Sequence, residues 1–258
     1  MIPSQADARR KKRPPPLLEL EVRRGKTRLG SEALRTKVFE KIVNFSTTAK
    51  LRYKGRRFTQ RTHTKLNHKD KVVQYNRWVD VKGASTRVIV FEFKRVWKLR
   101  TGDTTSGAFK VTDLKAKSPV VLLDARSPTL VHVAIDRAAG RDVHFVRADN
   151  ATSGPLTVRV EALVDPKSGK TYKRYSLTGE GLKANLLRDS KGKTVHVQGP
   201  GEYSGWAKGF KLPARLEAAP AEPGAAPPAE GKAAPTDAKV PPADAKAPPA
   251  ETKAQPTP

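Results

Sequence analysis

The feature that most constrains this chain is the run TRVIVFEFKRVWKLR, Thr86 to Arg100, its longest apolar-patterned stretch. Ile89, Phe91, Phe93, Trp97 and Leu99 share one parity, and Glu92, Lys94, Lys98 and Arg100 share the other. Successive side chains leave opposite faces of a pleated backbone, so this alternation predicts a strand with one buried and one wet face. The density of β-branched and aromatic residues favours strand over helix. Val88 to Val90 is apolar on both parities and is expected to cross the middle of a sheet. Arg95 falls on the apolar parity, which predicts a bulge or the point where the strand leaves the core.

The same pattern recurs on both sides of this run. Val72 to Val81, Ala108 to Thr112, Val120 to Ala125, Leu130 to Asp136, Val143 to Ala148 and Leu156 to Val164 read as strands separated by short clusters of Gly, Pro, Ser and Asp. Thr171 to Leu177 and Thr194 to Val197 continue the series. A short helix is expected near Gly181 to Leu187, and a closing loop or edge strand around Tyr203, Trp206 and Phe210. Many short strands at this spacing predict a mainly β chain built as an antiparallel β-sandwich, of jelly-roll or Ig-like type. Upstream, Leu18, Leu20 and Val22 alternate with charged residues in a short strand that turns at Arg24-Gly25-Lys26. Ser31 is expected to cap one N-terminal helix over residues 31–44, because Leu34, Val38, Phe39, Ile42 and Val43 fall on one helical face.

These readings divide the chain into a basic disordered arm (1–16), a basic N-terminal segment (17–70), a β-sandwich body (71–213) and a disordered tail (214–258). The tail holds four aligned units of seven residues, PPAEGKA, APTDAKV, PPADAKA and PPAETKA. No unit carries a side chain large enough to stack on its neighbour, so an extended polyproline-like segment is expected rather than a solenoid.

Charge is the second strong signal. The net charge is +26, and residues 1–100 alone carry 28 Lys and Arg against 8 Asp and Glu. The surplus is therefore local, and a local anionic partner is its natural complement. Two segments concentrate it. One is the arm with Arg9, Arg10, Lys11, Lys12 and Arg13, followed by three prolines. The other is Lys50 to Lys69, in which eight of twenty residues are Lys or Arg and none is acidic. Within it Lys50, Arg52, Lys54, Arg56, Arg57, Arg61 and Lys65 offer ammonium and guanidinium groups to phosphate, and Tyr53 and Phe58 offer rings to unstacked bases. The competing explanation is an exposed edge hairpin that charge protects from edge-to-edge pairing.

Catalytic and metal motifs are weak. With no cysteine, disulfides and thiolate chemistry are excluded. Ser168-Gly169-Lys170-Thr171 ends like a phosphate-binding loop, but Val164 stands where that loop needs glycine, and a hairpin turn over Asp165 to Gly169 is expected. His63, His68, His132, His144 and His196 are scattered, and Asp113, Asp124, Asp136 and Asp149 read as strand-end turn residues. No cofactor and no metal site is expected. Neither is a signal peptide, since Glu19 and Glu21 interrupt the only apolar residues behind the basic run.

A basic arm followed by a many-stranded sandwich is similar in general plan to coat subunits of small viruses and to basic proteins of ribonucleoprotein particles. That resemblance implies a non-enzymatic structural or binding protein, cytoplasmic or within a particle. Its basic N-terminal region would contact the phosphate backbone of DNA or RNA, and its other partners would be protein subunits, copies of itself among them. The alternative is a scaffold module, of a phage or a cell envelope, whose basic face meets acidic protein or lipid. An enzyme on a sandwich fold is a third reading, for which the sequence offers no grouped nucleophile, base and orienter.

Overall fold

The computed structural model describes residues 15–39, 42–67, 71–81, 84–138 and 140–219. The arm residues Arg9 to Arg13, the tail from residue 220, and Lys41, His68 and Lys69 lie outside the described residues. The first strands are β1 (Leu18–Arg24), β2 (Thr27–Phe39), β3 (Ile42–Tyr53), β4 (Arg56–Leu66), β5 (Val72–Val81), β6 (Ala84–Phe93), β7 (Val96–Asp103), β8 (Phe109–Leu114) and β9 (Val120–Leu123). Helix α1 (Thr129–Ala138) follows. Then come β10 (Val143–Arg147), β11 (Ser153–Val164), β12 (Thr171–Gly179), β13 (Leu182–Asp189), β14 (Thr194–Gln198), β15 (Tyr203–Trp206) and the two-residue β16 (Glu217–Ala218).

The protein is mostly β, and its strands form a single sheet of 16 strands. The order runs β8-β7-β6-β5-β4-β3-β2-β1-β15-β14-β13-β12-β11-β10-β9, with β16 added beside β11. β8 and β9 end this path and are not paired to each other, so the sheet is open. The expected boundary at residue 70 falls between β4 and β5, which are hydrogen-bonded from Thr59↔Asp80 to Leu66↔Val72. At the other end, residues 214–219 belong to the folded unit: β16 pairs with β11, and Leu216 packs on Leu163, Tyr172 and Leu187.

The core explains why β9 is apolar on both parities. Val121 and Leu123 join a cluster with α1, β1, β2 and β10 to β14, while Val120 and Leu122 join one with Tyr75, Val90, Trp97 and Leu99. A strand covered on both faces has no reason to alternate. β9 and β10 are parallel and α1 is the crossover between them, the connection a parallel pair requires. Trp97 is 1% exposed, and burial of a large apolar side chain of this kind contributes roughly 1.5–3 kcal/mol.

Four expectations are corrected, two of them together. First, residues 31–39 and 42–44 are not helical: they belong to β2 and β3, which pair from Gly30↔Leu51 to Phe39↔Ile42. The helical spacing of apolar residues there is coincidental, since Val38 is 67% exposed. Extended pairing instead buries Leu34 and Glu32 on the inner face. Second, Leu130 to Asp136 is helix, not strand. Ser127 accepts from Leu130 N through its carbonyl and Pro128 from Val131 N, so serine and proline start α1. Gly140 follows its last turn with φ +67°. Glu32 ties this start to the sheet: its Oε2 accepts from Thr129 N at 3.1 Å, and its other oxygen accepts from the Ser127 hydroxyl. Burial, opposed by these bonds, raises the Glu32 carboxyl above the usual range. Conversely, Gly181 to Leu187 is not a helix; Leu182 to Leu187 lies in β13.

Third, Thr86 to Arg100 is a hairpin rather than one strand. Lys94 (φ +49°) and Arg95 (φ +64°) form a two-residue turn between Phe93 and Val96, and the reversal puts Trp97 and Leu99 on the inner face with Val88 and Val90. Ile89 and Phe91 point to the other face. Positive φ at two non-glycine residues is the unfavourable version of a hairpin turn that Asn-Gly makes readily. Replacing Lys94-Arg95 by Asn-Gly should therefore raise unfolding stability by about 1 kcal/mol, read as an upward shift of the thermal midpoint. No shift, or a fall, would contradict this account of the turn.

Candidate nucleic-acid interface

The basic hairpin is β3 and β4, with Lys54-Gly55 as its turn. Along both strands exposure alternates: Lys50, Arg52, Arg57, Arg61, His63 and Lys65 are exposed, and Leu51, Gln60, Thr62, Thr64 and Leu66 are buried. Because the strand period is two, the exposed set shares one face, and the register carries that face across the sheet. Asn44 lies opposite Lys37 on β2 and Lys65 on β4, Lys65 opposite Gln74, Gln74 opposite Phe91, and Phe91 opposite Lys98. In the same way Arg61 lies beside Trp78, Trp78 beside Arg87, Arg87 beside Gly102, and Gly102 beside Phe109.

This outward face brings together Lys37, Lys50, Arg52, Arg57, Arg61, Lys65, Arg87, Lys98 and Arg100. On β3 to β8 its acidic residues are Asp80 and Asp113. Asp113 holds Lys98 at 2.6 Å, and Asp80 faces Arg61 at 3.5 Å. Lys50, Arg52, Arg57 and Lys65 make no ion pair with any described residue. Arg52 and Arg57 are direct cross-strand partners, a like-charge pairing that disfavours the isolated sheet. The surplus is not uniform, however. On β1 and β2, Arg23 and Arg28 pair with Glu21 at 2.7 and 3.0 Å, and Arg24 pairs with Glu202.

Protection of an edge does not account for these charges. β3 lies between β2 and β4, and β4 between β3 and β5, so both strands are interior. The edge explanation is overturned by that placement.

Not all of the expected contact residues join this face. Tyr53 and Phe58 turn inward onto Val22, Leu29, Ala49 and Leu51, where the Arg24 guanidinium stacks on Tyr53 at 4.9 Å. Arg56 is the cross-strand partner of Tyr53 and shares its face, and Lys54 occupies the turn, its ammonium 5.7 Å from the Tyr53 ring. The aromatic groups on the outward face are others: Trp78, Phe91, Phe93 and Phe109. Arg87 lies 5.3 Å over Trp78, Arg100 lies 4.0 Å over Phe109, and His63 meets Trp78 edge-on at 5.7 Å. Burial, and then the charge of Lys37, lower the His63 imidazole from its usual range, so at neutral pH it is uncharged. Trp78, Arg61, His63 and Asp80 line a dimple of about 240 Å³.

The second half of the sheet differs. The chain after β15 covers the far ends of β11 to β14, and beside it lies a hollow of about 480 Å³ lined by Glu161, Arg174, Asn185, His196, Gln198, Leu212 and Leu216 among others. Its charges are balanced, Glu161 facing Arg174 at 3.6 Å. His63, His132, His144 and His196 lie on four different elements, β4, α1, β10 and β14. Asp165 to Gly169 forms the expected turn, with Gly169 N donating to Asp165 O at 2.8 Å. Among the described residues no helix is long and apolar enough to cross a membrane.

No family model matches the chain, and no curated protein matches it either. Among solved structures it is similar to a DUF1089 family protein from Pseudomonas aeruginosa, at 12% identity over 64% of this chain and 87% of that one, with a TM-score of 0.35. A similarity this slight carries no functional argument.

Proposed function

We propose that this is a non-enzymatic binding protein whose outward basic sheet face, on β2 to β7, contacts the phosphate backbone of nucleic acid. Such a protein would work within a larger assembly, a virion or a ribonucleoprotein particle, alongside other protein subunits. The observation that carries the reading is the pairing pattern of β3 and β4: unneutralised cations, including the Arg52 and Arg57 pair, sit in interior strands where edge protection is not needed. An external polyanion relieves that repulsion, and guanidinium forks suit phosphate oxygens.

Neutralising phosphates releases counterions, so affinity should fall steeply with salt, by a logarithmic slope of about 0.7–0.9 per contact. Replacing Lys50, Arg52, Arg57 and Lys65 together by Ser removes up to four contacts. The slope, measured by fluorescence anisotropy of labelled oligonucleotides over a salt series, should flatten by about 3. These side chains are exposed, so the circular dichroism spectrum should not change. An unchanged slope would remove this face as the contact. Binding by the unaltered protein to anionic lipid vesicles but not to any nucleic acid would transfer the role to a membrane surface.

A further inference from the structure

Resting on the nucleic-acid reading, we infer that the ligand is single-stranded and that Trp78, His63, Arg61 and Asp80 form a site for one unpaired base, guanine. Backbone contact needs only cations, yet this face also carries four aromatic rings that solvent reaches, Trp78, Phe91, Phe93 and Phe109. Two of them, Trp78 and Phe109, lie in one line across the sheet with Arg87 and Gly102 between them. Three strand spacings separate them, roughly 14 Å. Phe109 lies low over β7 because Gly102 leaves room for it: a Cβ at Gly102 would sit 2.5 Å from the Phe109 ring. Arg87 and Arg100 lie over one face of Trp78 and of Phe109, which leaves each ring its opposite face for a base, and Arg87 is itself fixed by Asn76 Oδ1 at 3.1 Å. A duplex hides the faces of its bases in its own stack, whereas a single strand offers them to aromatic side chains.

Asp80 identifies the base. A carboxylate inside a cationic phosphate-binding face repels the backbone; Asp113 is neutralised there by Lys98 at 2.6 Å, whereas Asp80 keeps an oxygen without a close cation, free to accept from a ligand. Its Oδ1 accepts from Ser85 Oγ at 2.8 Å, and its Oδ2 lies 3.5 Å from Arg61, too long for a good hydrogen bond. An acceptor is thus held in place, with a guanidinium beside it, on the rim of a dimple walled by indole and imidazole. Guanine carries two adjacent donors, N1–H and the N2 amino group, beside the acceptor O6. Asp80 complements the donors and Arg61 the acceptor, while the base plane lies along Trp78.

The test is anisotropy with short labelled oligo(dT) and oligo(U), each with and without one central guanine, and with the corresponding duplexes. Single strands should bind about tenfold tighter than duplexes, and Trp78→Ala should weaken single-strand binding about tenfold, the usual size of one stacked base. Trp78→Phe should restore most of it. Guanine-containing strands should bind several-fold tighter than guanine-free ones, and Asp80→Asn should abolish that difference without weakening the guanine-free strand. If duplex and single strand bind alike and Trp78→Ala changes neither, the base site is wrong while the phosphate contact stands. If stacking is found without a guanine preference, the role of Asp80 is wrong. If no nucleic acid binds at all, the phosphate reading itself has failed.

Discussion

Replacing Asp124 by Ala should lower the unfolding free energy by about 3–5 kcal/mol, the range for removing one partner of a buried ion pair. Asp124 follows β9 and is completely buried; Arg77, on the inner face of β5, has a side chain only 8% exposed and donates to Asp124 Oδ2. The same oxygen accepts from the Tyr75 hydroxyl at 3.1 Å, and Oδ1 accepts from Arg126 N at 2.9 Å. Burial by itself would lower the Arg77 guanidinium, but Asp124 and then Tyr75 reverse this and hold it above its usual value. The Tyr75 phenol is pushed well up by burial and then by Asp124, so it remains a donor. Removing Asp124 therefore leaves a buried cation; Asp149, the other carboxylate that favours its charge, is already committed to Arg147 at 2.6 Å. The measurement is a urea titration of the variant beside Arg77→Met/Asp124→Leu. That double variant should recover most of the loss, because packed apolar groups can replace a buried ion pair at little cost. A single-variant loss under about 1 kcal/mol would show that solvent reaches Arg77 and that the pair does not fasten β9 to the first half of the sheet.

That pair also shows what could be read from the sequence. Val72 to Val81 was legible as β5 to the residue, and the register then puts Gln74, Asn76, Trp78 and Asp80 on one face. Nothing local said that Arg77, on the opposite face, would find Asp124 across 47 positions. The basic hairpin was legible because its cations are consecutive on two adjacent strands. The aromatic part of the candidate site was not, because Trp78, Phe91, Phe93 and Phe109 come from three strands and share a face only through register. Tyr53 and Phe58 stood nearest in sequence, but their parity is that of Leu51, and they face inward. The turn at Lys94-Arg95 lacks the glycine or asparagine that usually marks a hairpin, which is why the break at Arg95 read as a bulge or a strand exit rather than a reversal. Helix α1 carried its signals in Ser127-Pro128 and Gly140, but Val131, Val133 and Ile135 also alternate, and that alternation read as strand. The open single sheet was beyond local reading altogether, since β1 links the two halves through pairing with β2 on one side and β15 on the other.

Acid should destabilise the fold through His196 before any carboxylate in an ordinary environment titrates. Its ring packs against Trp206, tilted at 58° with centroids 4.4 Å apart, beside the hollow under residues 212–216, and burial lowers its imidazole from 6.5 to about 4. The unfolded chain takes up this proton near pH 6.5, and the folded chain refuses it until about pH 4. Stability is therefore full above pH 6.5, falls as pH drops between the two values, and levels off below the lower one. At 1.36 kcal/mol per unit the loss is about 3 kcal/mol over the whole interval. His132 on α1, also lowered mainly by burial, adds in the same direction. Glu32 acts oppositely: its carboxyl is raised, so its contribution is greatest in acid and is lost as pH climbs through the folded value. The bulk pH dependence mixes these terms, and the contribution of His196 has to be isolated by difference. Urea midpoints of the parent and of His196→Gln should be compared at neutral pH and near pH 4.5. The variant should lose some stability at neutral pH with the Trp206 contact, yet fall about 2–3 kcal/mol less than the parent on acidification. Parallel curves for the two proteins would mean that water reaches the imidazole, and that residues 212–216 do not seal that side of the sheet.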